Sequence, residues 1–418
     1  MLIDEIRAGR EVIGELDAMD GDHVVFLGLY NASKFHGKIE KWLPSLMIAG
    51  VPLLVVDNFS SDDTWVWAKE VLRLLLPTTK VVFVRNPINL GGYGSLVTNL
   101  DLFKESKWVM TLHQDDEYDP DHLRAHIENS NGASNFLGMI CSEAISVNPE
   151  GKRLGYPRGA WFLGPDPTAA DIFIAHLKNH SYPFSGASFR TSMLREISIP
   201  WHSTAFPDTE IVLRALPSWS FKYLQSATVK YLENLDSESH ALSMEHRDFG
   251  GFLALVRVFR SDGFQRLSTQ LDSADAELFA VAVHEALLVR IRDPLLQRLV
   301  QVVAQEAIIE FSGLSRTSAR LLLPSFLEVG DSQAIANLVS NANFDVNHFQ
   351  EASSPAEESG SQLKPLNSGS SQKSQRILIA RFMGIFPPRF ARAIYRLFLK
   401  LPYFRKRLPQ WNFDWRPK

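Results

Sequence analysis

The feature that most constrains the fold is a regular alternation of apolar and amphipathic segments between residues 23 and 114. Four apolar runs, HVVFLGLY, PLLVVDN, KVVFVRN and KWVMTLHQ, are separated by stretches whose apolar positions recur at helical spacing. Strands that are apolar throughout are buried on both faces, as in a parallel sheet that helices cover on both sides. The sequence therefore predicts an α/β fold with a mostly parallel sheet and helices on both faces.

Polar residues follow each of the four apolar runs, at the point where the predicted strand ends. They are Tyr30-Asn31, Asp57-Asn58, Arg85-Asn86 and Gln114-Asp115-Asp116. The carboxyl ends of parallel strands meet at one edge of the sheet, and ligands bind outside that edge in open α/β folds. We therefore expect a binding site there.

The remainder of the chain differs in pattern and divides into predicted regions. The N-terminus reads as an acidic amphipathic helix, and helical periodicity returns from about residue 251 to 345. Residues 351–374, EASSPAEESGSQLKPLNSGSSQKS, lack apolar anchors, as flexible linkers do. The predicted regions are an N-terminal helix (1–22), an α/β domain (23–250), a helical region (251–345), a disordered linker (346–375) and a basic tail (376–418).

Charge is distributed unevenly along the chain. The formal net charge is −4, whereas residues 376–418 contain eleven Lys or Arg and one acid, Asp414, so the preceding 375 residues sum to −14. A basic tail predicts an anionic partner, and both nucleic acid and a membrane surface qualify. The acidic body disfavours nucleic acid because it would repel a polyanion held nearby. An anionic membrane surface is therefore the predicted partner.

Cysteine usage and hydropathy predict a cytoplasmic protein. The single cysteine, Cys141, excludes an intrachain disulfide and fits a reducing compartment. The N-terminus lacks the basic start and apolar core of a signal peptide. No uninterrupted apolar run approaches the roughly 18 residues of a membrane-spanning helix. We therefore expect a cytoplasmic protein whose tail lies at the inner face of the cell membrane.

The stretch MTLHQDDEYDP places adjacent carboxylates, Asp115 and Asp116, at the end of the fourth predicted strand. Mg²⁺ and Mn²⁺ prefer oxygen ligands and usually keep substrate phosphates in their coordination shell. Because neighbouring side chains point in different directions, one carboxylate can reach a metal while the other turns to solvent or to a backbone donor. The alternative is an exposed turn, capped by Asp119-Pro120, that binds no metal.

A glycine-rich turn, NLGGYGS, follows the third predicted strand and opens a helix. Gly91 and Gly92 would let the backbone approach a diphosphate at the helix N-terminus, and a tight turn without a ligand is the alternative. A second polar stretch, DNFSSDDT, follows the second strand. Its Ser60 or Ser61 is a candidate N-cap of the next helix, whereas Asp57 lies at the strand end itself.

Three motifs, VVDNFSSDDT, NPINLGGYGSLVTN and TLHQDDEYDP, resemble in their order and spacing the nucleotide-binding half of family 2 glycosyltransferases of GT-A fold. The resemblance covers about residues 23–245 and implies a Rossmann-like sheet in an enzyme of the bacterial cell-surface polysaccharide type. It also implies that Asp115 bridges the metal, helped by Asp116, although His113-Gln114-Asp115 stands where the family commonly has Asp-x-Asp. The implied nucleotide-binding residues are Tyr30, Asn31, Asp57, Asn89, Gly91, Gly92 and Asp115, and Asn99 completes the second motif.

Two later segments, PFSGASFRTSMLREI and AFPDTEIVLRAL, are similar to the family's Gly-rich strand and its Glu-Asp motif. This similarity implies that Asp208 is the general base, with Pro207 in place of the usual Glu and Glu210 as the second candidate. The alternative is that Asp208 only caps the helix TEIVLRAL. His240 lies where similar enzymes place a late metal or diphosphate ligand.

The function implied by the resemblance is inverting, hexosyltransferase-like transfer from a nucleotide-sugar donor to a hydroxyl of a glycan or lipid-linked acceptor, assisted by Mg²⁺ or Mn²⁺. The alternative is a catalytically inactive GT-A-like binding module tethered to the membrane surface. A nicotinamide-dependent dehydrogenase is disfavoured because no GxGxxG follows the first strand. The tail segments RILIARFMGIF and RFARAIYRLFLKL fit a membrane-surface anchor, and a helix pair docked on the acidic body is the alternative.

Overall fold

The computed structural model describes residues 3–312 apart from 20, 104–105, 156–158, 160–162, 164–166, 179–181, 198–206, 234–243 and 292–293. The described residues belong to one compact unit, Met1–Ser332. Three predictions fall outside the described residues: the linker at 346–375, the basic tail at 376–418 and the candidate ligand His240.

Nine strands of the described chain form one sheet, in the order β1-β4-β3-β2-β5-β8-β7-β9-β6. The strands are β1 (Glu11–Ile13), β2 (His23–Leu29), β3 (Leu53–Asp57), β4 (Val81–Arg85), β5 (Trp108–His113), β6 (Glu117–Tyr118), β7 (Leu137–Val147), β8 (Ser188–Arg190) and β9 (Ser220–Leu232).

The four apolar runs form the parallel set β4-β3-β2-β5. Almost all of their residues are buried, because helices cover both faces of this part of the sheet. The register pairs Asp57 with Leu29 on one side and with Arg85 on the other. Gly28 is paired with His113. The predicted mostly parallel α/β sheet is confirmed, and its polar strand ends lie side by side at one edge.

Helices of the α/β part connect successive strands. They are α1 (Ile3–Ala8), α2 (His36–Leu46), α3 (Thr64–Trp67), α4 (Arg73–Leu75), α5 (Gly91–Thr98), α6 (His122–Ser130), α7 (Ala169–Leu177), α8 (Thr191–Ile197) and α9 (Pro207–Ala215). A π-helical turn, Ala68–Leu72, joins α3 to α4. Trp42 of α2 and Trp65 of α3 belong to the same buried cluster as Leu27 and Val55 of the sheet. This apolar packing holds the helices against the sheet.

The N-terminal segment differs from the predicted helix over residues 1–22. Among the described residues of this segment, α1 and a 3-10 turn at Leu16–Met19 are helical, and between them β1 pairs antiparallel with β4, with Val12 opposite Val84. Gly14, directly after β1, has φ +117°, a conformation that L side chains rarely adopt and that no helix contains. The amphipathic spacing therefore belongs to a short helix followed by an edge strand.

The longest strands lie where the sequence alternation weakens. β7 and β9 pair in parallel, with register irregularities between Leu137 and Met139 and between Ser142 and Glu143. Residues on both faces of β7 are mostly buried, so the strand lacks the alternation of polar and apolar residues that would mark it. β6 extends the sheet beyond β9 and pairs Glu117 with Lys230.

In the described part of the chain, four helices follow β9: α10 (Met244–Phe259), α11 (Asp262–Thr269), α12 (Ser273–Arg290) and α13 (Pro294–Ser312). Phe173 of α7 lies 5.3 Å from Phe264 and 5.6 Å from Phe279 between ring centroids, so an aromatic cluster joins α7 to these helices. The predicted helical C-terminal region is confirmed as far as the described residues extend. None of the described helices is both long and apolar enough to cross a membrane.

Candidate active site

Asp57 ends β3 with a fully buried side chain. Its Oδ2 atom lies 3.1 Å from Nε of Arg85, and the backbone N–H of Ser60 donates to the carboxylate at 3.3 Å. Burial raises the pKa of Asp57, while the Ser60 hydrogen bonds and the Arg85 charge act in the opposite direction. The Arg85 guanidinium also lies over the ring of Phe59, which is half exposed. Asp57 and Arg85 therefore form a fixed pair at the edge of the sheet.

The loop after β2 is bound to the loop after β3 by side chains. The backbone N–H of Asn31 donates to Ser60 Oγ at 2.9 Å, and Asn31 Oδ1 accepts from the backbone N–H of Ser61 at 2.9 Å. Asn31 has φ +45°, a conformation that asparagine tolerates better than most residues. Ser60 and Ser61 therefore contact the neighbouring loop, and the Asp62 carboxylate accepts from the Thr64 N–H at the start of α3 instead.

A network of four asparagines fixes the glycine-rich turn. Asn58 donates to Asn89, Asn86 donates to Asn58, and Asn99 donates to Asn86, at 2.7 to 3.2 Å. Asn89 Oδ1 also accepts from the N–H of Gly91, at 2.9 Å. Asn99 is fully buried, and its side chain supports the turn through the hydrogen bond to Asn86.

The backbone at the start of α5 combines one constrained glycine with one unobstructed glycine. Gly91 has φ +68°, which favours glycine. A Cβ atom added at Gly92 would meet nothing within 4 Å, so the backbone there is open to close approach by a ligand. This arrangement suits an anion at the N-terminus of α5.

His113, Asp115 and Asp116 form an acidic cluster at the end of β5, with one potential ligand atom from each within 4.8 Å of the others. Asp116 is fully buried, and it accepts hydrogen bonds from Ser185 Oγ and, at 2.9 Å, from the N–H of Leu232. Burial first, and the Asp115 charge second, raise the pKa of Asp116 to about 7. Carboxylate oxygens and an imidazole nitrogen fit a divalent cation such as Mn²⁺ or Mg²⁺, whose charge would offset this repulsion.

Two side chains that the sequence did not single out hold the acidic loop. Gln114 exchanges a pair of hydrogen bonds with the backbone of Tyr30. Lys38 Nζ donates to the Asp115 carbonyl at 2.7 Å and lies 3.7 Å from Glu117 Oε1. The role of Lys38 could not be recognised from the sequence around it. Lys38 is one of several polar residues on α2, and its partner Asp115 lies 77 positions later.

The two candidate bases lie in the first turn of α9 but in different surroundings. Glu210 is fully buried, and Arg257 donates to both of its oxygens, at 2.9 Å to Oε1 and 2.7 Å to Oε2. Arg214 donates to Oε1 as well, at 3.2 Å. Asp208 is only partly buried. Burial raises the pKa of Tyr93 in α5, and the Glu210 charge adds to that rise, which places α9 beside the glycine-rich helix.

The predicted site residues therefore divide into two groups. Tyr30, Asn31, Asp57, Asn89, Gly91, Gly92, Asp115 and Asp116 lie on neighbouring loops at one edge of the sheet. Asp208 and Glu210 lie on α9, and His240 is outside the described residues. An open parallel α/β sheet with an acidic cluster at its carboxyl edge is the architecture of GT-A glycosyltransferases.

Residues 50–198 match the sequence model of a family described as Glycosyl transferase family 2. The matched segment runs from just before β3 to the end of α8 and so contains Asp57, the glycine-rich turn and the acidic cluster. The match agrees with the predicted resemblance over residues 50–198. No curated protein is significantly similar to the chain in sequence.

Solved structures with related folds include two of TarS from S. aureus and one archaeal enzyme. TarS resembles the chain with a TM-score of 0.47 and 14% identity over 73% of this chain, which spans 52% of the TarS chain. TarS 1-349 in complex with UDP-GlcNAc has a TM-score of 0.49 and 14% sequence identity, over 79% of this chain and 92% of the TarS 1-349 chain. The mannosyltransferase PcManGT from Pyrobaculum calidifontis, in complex with GDP-Man and Mn²⁺, has a TM-score of 0.43 and 13% sequence identity. The similarity covers 75% of this chain and 80% of the PcManGT chain. At these values the likenesses carry no argument about donor, metal or mechanism.

Proposed function

We propose that the protein transfers a hexosyl group, with inversion, from a nucleotide-sugar to a hydroxyl of a glycan or lipid-linked acceptor. The observation that carries this proposal is the meeting, at one sheet edge, of a buried carboxylate, a glycine-rich helix start and an acidic cluster. These are the chemical groups that a nucleobase, a diphosphate and a divalent cation require.

The nucleotide would lie across the loops that follow β2, β3 and β4. Asp57 offers a buried carboxylate to a nucleobase N–H, and its fixed contact with Arg85 keeps the acceptor oxygens in place. Tyr30 is exposed in the loop that follows β2, the strand paired with β3, and can stack on the base or the ribose. Asn89, Gly91 and Gly92 place the diphosphate at the start of α5.

The residues that would hold the divalent cation are Asp115 and Asp116, with His113 nearby and His240 as a further candidate. Both oxygens of Asp116 already accept hydrogen bonds from the protein, so Asp115 offers the freer carboxylate. When bound, the cation supplies positive charge for the diphosphate as it leaves the sugar. Lys38 and Gln114 hold the loop through their contacts with the Asp115 carbonyl and the Tyr30 backbone.

Asp208 is the proposed general base. The acceptor hydroxyl attacks the anomeric carbon, its proton passes to the Asp208 carboxylate, and the bond from the anomeric carbon to the diphosphate oxygen breaks on the opposite face. Glu210 is the poorer candidate because Arg257 and Arg214 occupy its oxygens in a buried ion-pair network. Attack opposite the leaving group inverts the anomeric configuration.

We further propose that the basic tail binds an anionic membrane surface at the inner face of the cell membrane. Residues 376–418 carry a net charge of +10 and alternate basic with apolar residues. Basic residues near an anionic leaflet contribute about 1 kcal/mol each. Attachment would confine the enzyme to the plane of a lipid-linked acceptor.

The test is transfer from a panel of nucleotide-sugars with and without Mn²⁺, with the anomeric configuration of the product read by NMR. Asp115→Asn should abolish metal-dependent donor binding, and Asp208→Asn should lower kcat about a hundredfold with donor binding intact. Asp121→Asn is the matched control, because this exposed carboxylate contacts only Arg124 at the start of α6. Donor binding without transfer by the wild type would favour the inactive binding module instead.

A further inference from the structure

The first turn of α9 is bound by arginines that come from the C-terminal helices. Arg257 of α10 makes a two-pronged ion pair with Glu210, whose side chain has no exposed surface. Paired hydrogen bonds between a guanidinium and a carboxylate fix orientation as well as distance. The position of Glu210 is therefore set by a residue 47 positions later in the chain.

A second arginine contacts the residue before Glu210. Arg290, the last residue of α12, donates from Nη2 to Thr209 Oγ1 at 2.6 Å, and Thr209 is 3% exposed. Burial lowers the pKa of Arg290, and the negative charge of Asp208 acts in the opposite direction. The guanidinium therefore lies within electrostatic range of the Asp208 carboxylate as well as in direct contact with Thr209.

The other end of α9 also packs against the C-terminal helices without spare room. A Cβ atom added at Gly263, in the first turn of α11, would collide with the Arg214 carbonyl and lie 2.6 Å from the Leu216 carbonyl. α9 is thus contacted in its first turn by Arg257 of α10 and Arg290 of α12, and in its last turn by α11.

We infer that Arg257 and Arg290 are positioning residues for Asp208. This inference rests on the proposed function, in which Asp208 takes the proton of the acceptor hydroxyl. The two arginines fix the residues that follow Asp208 in the same helical turn, and together they leave that turn no freedom to rotate. Arg257 acts through Glu210, and Arg290 acts through Thr209. The C-terminal helices therefore complete the acceptor side of the site.

If the two arginines position Asp208, their removal should lower the rate of the transfer step more than it weakens donor binding. A misplaced catalytic group can cost up to about a hundredfold in rate. We expect Arg290→Met to lower kcat at least about tenfold while the KM for the nucleotide-sugar changes less than about twofold. Hydrogen exchange at the amides of residues 210–215 should rise severalfold, and exchange in β2, β3 and β5 should stay unchanged.

Two further variants complete the test. Arg290→Lys keeps a donor and a charge near Thr209 and should recover part of the lost kcat. Arg260→Met is the matched control, because Arg260, just after α10, donates to Glu310 of α13 rather than to α9. It should change neither kcat nor exchange in α9.

Arg257→Met removes the two-pronged partner of the buried Glu210 carboxylate, and this destabilises the fold because a buried charge loses its hydrogen-bonded counter-charge. If that variant does not fold, Arg257→Met combined with Glu210→Gln removes the buried charge together with its partner. The inference predicts that this pair folds and still shows the selective loss in kcat.

Three outcomes are decisive. Unchanged kcat in Arg290→Met, or an equal rise in donor KM, would overturn the positioning role. Raised exchange in α9 with normal kcat would also overturn it, because the arginines would then only stabilise the helix. If the wild type transfers no sugar from any donor, the proposed function fails, and the exchange data still decide whether the arginines hold the turn.

Discussion

Gln114 and Tyr30 are joined by two reciprocal hydrogen bonds. The backbone N–H of Tyr30 donates to Gln114 Oε1 at 2.7 Å, and Gln114 Nε2 donates to the Tyr30 carbonyl at 2.9 Å. The loop after β2, on the proposed nucleotide side, is thereby connected to the loop that carries Asp115. A primary amide offers an N–H donor and an acceptor oxygen side by side, and both are used in this pair. This amide pair, together with the Lys38 contact to the Asp115 carbonyl, therefore sets the relative position of the two halves of the proposed donor site.

Gln114→Glu should weaken binding of the nucleotide-sugar and metal about tenfold. The variant loses the N–H donor and places a carboxylate oxygen against the Tyr30 carbonyl, which costs about 1–3 kcal/mol. Titration calorimetry with donor and Mn²⁺ would measure the effect. Gln265→Glu, at an exposed position of α11, is the matched control and should bind as the wild type does. Equal affinity in all three proteins would refute the role of the amide pair.

The sequence predicted the site residues that lie directly at or after the end of a strand. Asp57, the glycine-rich turn and Asp115 each follow an apolar run, so their positions at one edge followed from parallel pairing alone. The contacts of Gln114 and Arg257 could not be predicted in this way, because their partners are 84 and 47 residues distant. Likewise β7 lacks alternation, since the residues on both of its faces are mostly buried.

Buried His122 should make the protein lose stability in mild acid. Its Nε2 atom lies 2.9 Å from the Gly186 carbonyl, and burial lowers the pKa of His122 to about 4. An unfolded histidine binds a proton near pH 6.5, so between pH 6.5 and 4 the unfolded chain holds more protons than the folded one. Stability is therefore fully present above pH 6.5, and about 3 kcal/mol is lost as the pH falls through that window.

Urea unfolding at pH 7 and at pH 4.5, in metal-free buffer, tests this expectation against His122→Gln. The glutamine side chain retains an N–H donor for the Gly186 carbonyl but does not titrate. The fall in unfolding free energy between the two pH values should be smaller in the variant by about 2 kcal/mol. Identical falls in both proteins would show that His122 does not contribute.

Gly263→Ala should destabilise the contact between α9 and α11. The added methyl group would collide with the Arg214 carbonyl, and carbonyls of a packed helix end cannot retreat freely. Overpacking of this kind costs about 1–3 kcal/mol, which thermal unfolding would detect. Gly37→Ala is the opposite control: it lies in α2 with nothing within 4 Å of the new methyl, and should stabilise by about 0.5–1 kcal/mol. If Gly263→Ala leaves the thermal stability unchanged, the two helices have room to separate.

Removal of the basic tail should abolish binding to anionic membranes. The full chain and a chain ending at Ser374 differ by the eleven basic residues of the tail, and even half of these would contribute on the order of 5 kcal/mol at an anionic surface. Sedimentation with liposomes that contain phosphatidylserine should therefore bring down the full chain alone at low salt, and added salt should release it. Liposomes of neutral lipid are the control, because they retain the apolar contribution and remove the electrostatic one. If both chains stay in the supernatant with anionic liposomes, the tail instead has a partner within the protein, and a lipid-linked acceptor loses its support.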